Sequence, residues 1–129
     1  MQPEFKTYGL SHIALAVKDV KRSVAFYQRV FGTVTMYSQD GGAQIQTPGT
    51  NDIIVFEENE KLAGKNEGGI LHFGFRLVNQ NDINKVLQTV KSAGGKIKES
   101  GEFVAGEPYV FFYDPDGYEI EVWYEKLDN

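Results

Sequence analysis

Several residue types are absent or scarce in this chain, and each absence excludes a class of protein. The 129 residues (14.5 kDa) include no cysteine, which excludes disulfide bonds, thiolate metal ligands and cysteine nucleophiles. No apolar run approaches the roughly 18 residues of a membrane span. Because 13 Lys and Arg residues face 18 Asp and Glu residues, the net charge is −5 and no basic surplus exists for binding nucleic acid.

What remains is the composition of an ordinary globular domain. Hydrophobic residues make up 41% of the chain, and the length suits a single domain over residues 1–129. The segment Met1–Lys6 has no charged region followed by an apolar one, so we expect no signal peptide. The expectation is therefore a soluble, cytoplasmic protein without a nucleic-acid or membrane partner.

An internal repeat divides the chain into two halves. Gly9–Val17 and Gly69–Leu77 lie 60 positions apart, begin with glycine and carry histidine at their fourth position. Both alternate with a period of two, which predicts strands with one strongly apolar face. The two histidines lie on the other face, which is small and polar and suits the wall of a cavity.

Each of these strands is followed by a predicted helix and three predicted strands. Asp19 is expected to cap the first helix and Asn81 the second, and glycines end both. The strands are predicted near residues 33–38, 43–47, 52–58, 96–99, 109–113 and 118–124. This order predicts an α+β fold of two tandem βαβββ modules, at about 8–58 and 69–125, with a linker at about 59–68.

The two histidines of the chain occupy the same position of the repeat. If a pseudo-twofold axis or a pair of subunits relates the halves, His12 and His72 can converge on one point. Two neutral imidazoles are typical ligands of a divalent transition metal. Because the chain has no thiolates, a carboxylate is the expected third ligand.

The last predicted strand offers two carboxylates, Glu119 and Glu121, which lie on one face because they are two positions apart. Alternation alone does not separate them. Glu119 adjoins the preceding turn, whereas Glu121 is flanked by Ile120 and Val122 deeper in the strand. A buried carboxylate is costly without a partner, and a metal ion would be one. Position therefore favours Glu121.

Four segments, in their order and spacing, carry a resemblance to a known superfamily. They are Leu10–Val17, Ser23–Tyr27 with the following Phe31-Gly32, His72, and Asp114–Glu121. From about Tyr8 to Tyr124 the chain resembles the vicinal oxygen chelate superfamily, which includes glyoxalase I, bleomycin-resistance proteins, fosfomycin-resistance enzymes and extradiol dioxygenases. The resemblance implies a glyoxalase-type fold, in which curved mixed sheets surround a cavity.

The resemblance also implies a metal centre. His12 and His72 match the histidine ligands of the two modules, and Glu121 matches the acid that follows Asp-Pro-Asp-Gly by four residues. Such a site holds a divalent ion (Zn, Ni, Mn or Fe) and leaves positions open for vicinal oxygens of a substrate.

One departure from glyoxalase I concerns the fourth ligand. In glyoxalase I the metal site is symmetric, with a second carboxylate in the last strand of the first module. This chain has Ile54 or Val55 at that position. Glu57 could replace that acid only through a shifted strand or a bulge. Otherwise Glu57 and Glu58 form a solvated strand end, so an isomerase mechanism with two carboxylates is not implied.

The function implied by the resemblance is that of a glyoxalase-like, metal-dependent enzyme that acts on a small molecule, with a lyase- or isomerase-like reaction favoured. Two alternatives stay open: a non-catalytic small-molecule or antibiotic-binding module, as in bleomycin resistance, and a ferrous dioxygenase. Retention of His12, His72 and Glu121 argues against the metal-free binding module.

The remaining expectations concern the cavity and the assembly. Arg76 shares the face of His72, so it either binds an anionic substrate or forms an ordinary salt bridge. The aromatic residues of the strand at 109–113 (Tyr109, Phe111 and Tyr113) either line the cavity or belong to the core, and the core is favoured. Because small members of this superfamily often build their sites between subunits, we expect a homodimer. If the site is shared, His12 comes from one subunit and His72 with Glu121 from the other.

Overall fold

A strand-helix-strand-strand-strand unit occurs twice in the computed structural model, which describes residues 3–4, 6–65 and 68–127. The elements are β1 (His12–Val17), α1 (Val20–Phe31), β2 (Val34–Gln39), β3 (Gly42–Gln46), β4 (Ile53–Glu58), β5 (Phe73–Arg76), a 3₁₀ turn (Gln80–Asp82), α2 (Ile83–Ser92), β6 (Lys96–Glu102), β7 (Pro108–Tyr113) and β8 (Glu119–Trp123). Within these ranges, neither helix is long and apolar enough to cross a membrane.

Each module forms one four-stranded sheet, with strand orders β1-β4-β3-β2 and β5-β8-β7-β6. In both sheets the first and last strands of the module run parallel, and the other neighbours run antiparallel. The predicted α+β fold of two βαβββ modules is therefore confirmed. Asn66 and Glu67, which fall in the predicted linker, lie outside the described residues.

The first helix follows its sequence signals, whereas the second begins differently from the prediction. The Asp19 side chain accepts a hydrogen bond from the Arg22 amide, and Gly32 ends α1 in the left-handed region (φ 69°). The predicted cap Asn81 is wrong. It is the side chain of Asn79 that accepts a bond, from the Asn81 amide, because a 3₁₀ turn precedes α2.

Both sheets contain the same irregularity in their outermost strand. The pairing register shifts around Met36 in β2 and around Lys98 in β6, which is how a bulge adds one residue. The strand predicted at 96–99 extends through Glu102, because pairing with β7 resumes after the bulge and continues to Pro108. Lys98 follows Ile97, which packs against the core, so alternation puts Lys98 on the opposite face, where it contacts Glu119 of β8.

An apolar core lies on the helix side of both sheets. Strand residues alternate, so that one set is buried against the helices and the other faces away from them. The fully buried side chains include Val17, Tyr27, Ile45, Phe56, Val90, Val110, Phe112, Ile120 and Val122. Phe31 of α1 stacks on Phe75 of β5 with ring centroids 3.8 Å apart, so the first helix packs against both modules.

A buried hydrogen bond joins the two modules. The hydroxyl of Tyr27, in α1, donates to Asp114 Oδ2 at 2.8 Å, and Asp114 Oδ1 accepts from the amides of Asp116 and Tyr118. Burial, followed by the Asp114 charge, raises the pKa of Tyr27 well above its ordinary value. Burial also raises the pKa of Asp114, although its hydrogen bonds oppose that shift.

The turn that follows Asp114 is held by the start of the first helix. Asp116 accepts bonds from the Lys18 amide at 3.1 Å, the Arg22 guanidinium at 2.8 Å and the Ser23 hydroxyl at 3.3 Å. Tyr118 donates to the carbonyl of Ala16 in β1 at 2.7 Å. These contacts set the position at which β8 leaves the turn.

We predict that Tyr27→Phe lowers the free energy of unfolding by about 2 kcal/mol, because Asp114 loses a buried charge-assisted donor. The full difference in the free energy of unfolding is expected near pH 8. Since the folded protein keeps the Tyr27 proton at pH values where the unfolded chain releases it, the wild-type advantage should shrink above about pH 10. Urea unfolding of both proteins across this range measures the difference.

The matched control is Tyr8→Phe, since the Tyr8 side chain is fully exposed. It should leave the stability unchanged at every pH. Equal stabilities of Tyr27→Phe and Tyr8→Phe would show that the bond between the modules contributes nothing.

Candidate metal centre

The faces of the two sheets that point away from the core carry the predicted site residues. On β1 this open face presents His12, Ala14 and Ala16, and on the second module it presents His72, just before β5, then Gly74 and Arg76. The small residues leave space beside each histidine. The open faces are therefore the surfaces on which a ligand could meet both histidine positions.

His72 and Glu121 come together on the second sheet. Glu121 of β8 is the register partner of Gly74, and His72 Nε2 lies 3.4 Å from Glu121 Oε1. That separation exceeds an ordinary N–H···O hydrogen bond. It matches two ligands that each lie about 2.1 Å from a shared ion. The donor chemistry and the spacing therefore fit a divalent metal at this pair.

Glu119, the other candidate carboxylate, is engaged elsewhere. Its Oε1 accepts a 2.9 Å hydrogen bond from Lys98 Nζ, and this bond raises the pKa of Lys98. Its Oε2 lies 3.8 Å from His72 Nδ1, on the opposite side of the ring from Glu121. Among the described residues, Glu121 has no cationic partner other than His72, which supports Glu121 as the ligand.

His12 lies apart from this pair. It lines a groove of about 180 Å³ together with Leu10, Ser11 and the β5 residues 73–75, whereas His72 lines a groove of about 160 Å³ with Ile70, Leu71 and the β1 residues 13–15. The two grooves are equivalents under the 60-residue repeat. Over the described ranges, no three His, Asp or Glu side chains gather closely enough to hold an ion, so one chain supplies a pair and a separate histidine.

The first sheet lacks the fourth acid. Val55 is the register partner of Ala14, as Glu121 is of Gly74, so valine occupies the equivalent position. Glu57 lies two residues further along β4, is exposed, and follows a regular register without a bulge. Glu58 has a structural contact, since its Oε1 accepts a bond from the Val20 amide at the start of α1.

Arg76 forms a salt bridge at the end of its strand. Its guanidinium lies 3.6 Å from Glu125 Oε1 and 5.9 Å from the centre of the Trp123 ring. The side chain remains about half exposed on the same open face as His72. It is therefore held in place by its neighbours and still accessible to an anion.

The aromatic residues of β7 do not lie in the core, and that expectation was wrong. Val110 and Phe112 are buried on the helix side, so Tyr109, Phe111 and Tyr113 occupy the open face by alternation. Phe111 is the register partner of Glu121 and packs edge-on against His72, with centroids 5.1 Å apart. The alternation of β7 against β8 was the available signal for this placement.

Two polar neighbours of the histidines were not predicted. Ser11 Oγ lies 2.7 Å from His12 Nδ1, and Lys98 approaches Glu119 beside His72. Ser11 could have been found, since it adjoins His12 in the chain. The face of Lys98 follows from alternation with Ile97, but its pairing with Glu119 depends on the strand order, which places β6 and β8 on either side of β7.

The chain is similar to fosfomycin resistance proteins and to lactoylglutathione lyases. A model of the Glyoxalase/Bleomycin resistance protein/Dioxygenase superfamily matches residues 9–122. The fosfomycin resistance protein FosX of Listeria monocytogenes is 29% identical, with 94% of this chain and 92% of that protein covered. The lactoylglutathione lyase of Haemophilus influenzae is 29% identical, with 85% and 87% covered.

A solved structure shows the same architecture. A variant of FosX from Listeria monocytogenes, in complex with Mn(II) and 1S,2S-dihydroxypropylphosphonic acid, superposes with a TM-score of 0.75. The two chains are 26% identical, with 91% of this chain and 90% of that chain covered. That ligand carries two adjacent hydroxyl groups.

Proposed function

Because the chain belongs to the glyoxalase/bleomycin resistance protein/dioxygenase superfamily, we propose that it is a divalent-metal-dependent enzyme that acts on a small molecule bearing two adjacent oxygens. The observation that carries the proposal is the pair of His72 Nε2 and Glu121 Oε1, 3.4 Å apart on an open sheet face. Relatives that include a fosfomycin resistance protein and a lactoylglutathione lyase support metal-dependent small-molecule chemistry.

His72, Glu121 and His12 would hold the ion, and three protein ligands leave positions open for substrate oxygens. A bound divalent ion supplies Lewis-acid polarisation of those oxygens. Manganese, nickel, zinc and ferrous iron all suit this ligand set. Because valine occupies position 55, the position on the first sheet that is equivalent to Glu121 carries no carboxylate, which disfavours a proton shuttle between two acids.

Other residues of the open face would bind and orient the substrate. Phe111 packs on His72 and limits the movement of the ring. Arg76 is positioned by Glu125 and Trp123 on the same face and would hold an anionic group. The aromatic surface of Tyr109 and Phe111 would exclude water on one side of the bound molecule.

We further propose that the complete site lies between two copies of the chain. Each chain presents two grooves related by the repeat, one with His12 and the other with His72 and Glu121. A twofold axis between copies would pair each groove with its equivalent and form two identical sites. Leu10, Ile70 and Leu71 beside the grooves are 96%, 69% and 69% exposed, which suits an interface with a second copy.

The metal site is tested by loading purified protein with manganese, nickel, zinc or ferrous iron and measuring bound metal. We expect about one ion per chain, and its loss in His72→Ala, because a three-ligand site seldom survives removal of one ligand. Gln46→Ala changes the open face of the first sheet without removing a ligand and should bind like the wild type. Unchanged binding by His72→Ala would refute the assignment.

The shared site is tested by subunit complementation. His12→Ala and Glu121→Ala homodimers should each bind no metal, whereas the mixed dimer, purified through two tags, should bind about one ion because one of its two sites keeps all ligands. If the mixed dimers bind as little metal as the two variant homodimers, the ligands come from one chain. A monomeric mass in solution would show that the proposed interface does not form.

The reaction class is tested with fosfomycin and water or a thiol, with the hemithioacetal of methylglyoxal and glutathione, and with catechol and oxygen. We expect metal-loaded wild type to turn over fosfomycin or the hemithioacetal, and His72→Ala to turn over neither. Ferrous-dependent oxygen consumption with catechol would instead establish a dioxygenase. Protection of the fold by a ligand without turnover in any reaction would indicate a binding module.

A further inference from the structure

The ring of His72 lies between two carboxylates with different surroundings. Nε2 faces Glu121 at 3.4 Å, and Nδ1 faces Glu119 at 3.8 Å. Glu119 is in turn bound by Lys98 at 2.9 Å, so Lys98, Glu119 and His72 form a chain of contacts on the open face. The His72 and Glu119 side chains are only 34% and 17% exposed, so they have limited room to reorient.

Lys98 lies in the bulge of β6 and follows Ile97, which packs against the core, so its side chain is on the open face. The register of β6 against β7 shifts between Ile97 and Glu99, and Lys98 is the extra residue. Its ammonium also lies 6.0 Å from the centre of the Phe111 ring, which packs edge-on against His72. Lys98 and Glu119 therefore lie on the Nδ1 side of the His72 ring, and Phe111, the register partner of Glu121, lies beside both Lys98 and the ring.

The fold itself does not require these residues. The first module contains the same bulge with Met36 in place of Lys98. Ile53 is the register partner of His12, at the position that corresponds to Glu119 beside His72. Because both modules fold with the same topology, the Lys98–Glu119 pair serves something that only the second module needs.

We propose that Glu119 is a positioning residue for His72, anchored by Lys98. This inference rests on the proposed metal site. When Nε2 holds an ion, the ring proton resides on Nδ1, which faces Glu119. The separation of 3.8 Å is longer than a hydrogen bond, so the bond forms as Glu119 and the ring approach by about 1 Å. A carboxylate behind a metal-binding imidazole fixes its tautomer and its orientation, and removing such a partner typically weakens metal binding 10- to 100-fold.

The first test measures manganese affinity by calorimetry. Glu119→Ala should bind about 10- to 100-fold more weakly than the wild type, and Glu119→Gln, which keeps an acceptor oxygen, should recover most of the loss. Lys98→Met should weaken binding by a smaller factor and add nothing in the Glu119→Ala background, because both act through one contact. Lys98→Arg should restore binding.

The matched control is Glu99→Ala, which removes an exposed carboxylate next to Lys98 without touching His72. It should bind manganese like the wild type. Equal losses in Glu99→Ala and Glu119→Ala would reduce the effect to net charge and overturn the proposal. Complete loss in both Glu119→Ala and Glu119→Gln, as in His72→Ala, would make Glu119 a ligand and overturn it as well.

A second test needs no metal. The chain has only two histidines, so ¹⁵N–¹H spectra in alkaline buffer, where imidazole is neutral, can be assigned with His12→Ala. In Glu121→Ala, Glu119 is the carboxylate that still faces the ring, so we expect the Nδ1-protonated tautomer to dominate at His72 there and to be lost when Glu119→Ala is added. The same tautomer in both variants would overturn the proposal. If Glu121→Ala shows this tautomer but the wild type binds no metal, the proposed function fails and the contact stands.

Discussion

The carboxylate of Asp114 is the contact on which the arrangement of the second module depends. It is almost fully buried, and it accepts bonds from the Tyr27 hydroxyl and from two amides of its own turn. A buried carboxylate without these donors would be costly, so the turn and α1 are held together. Because β8 begins directly after this turn, the contact also determines where Glu119 and Glu121 lie relative to β5.

The repeat explains why one chain holds separated parts of a site. The two modules share their core through α1, so their open faces point away from it and place His12 and His72 in equivalent grooves. The equivalence ends at the side chains. The first module has Val55 where the second has Glu121. It also has Met36 where the second has Lys98, and Ile53 where the second has Glu119. The two modules share a backbone topology, and the second module carries most of the polar groups of the site.

Much of the fold was predictable because its signals are local. The alternation in β1, the Asp19 cap and the glycine after α1 each act over a few residues, and all three predictions hold. Two predictions failed. A 3₁₀ turn capped by Asn79 precedes α2, whose own N-cap residue, Asp82, makes no capping side-chain bond, and Phe111 lies outside the core because β7 is covered by helices on one face only. Neither outcome follows from residue type alone.

By itself, the sequence determined the two modules, the faces of the strands and the candidate ligands His12, His72 and Glu121, because periodicity and residue chemistry are properties of the chain. Tertiary structure alone decided which of these residues meet. Strand register put Glu121 beside His72 and Val55 in the equivalent position, and the strand order brought Lys98 of β6 within reach of Glu119 of β8. Such placements depend on hydrogen-bond pairing between distant segments, and a shift of one residue would move every side chain to the opposite face.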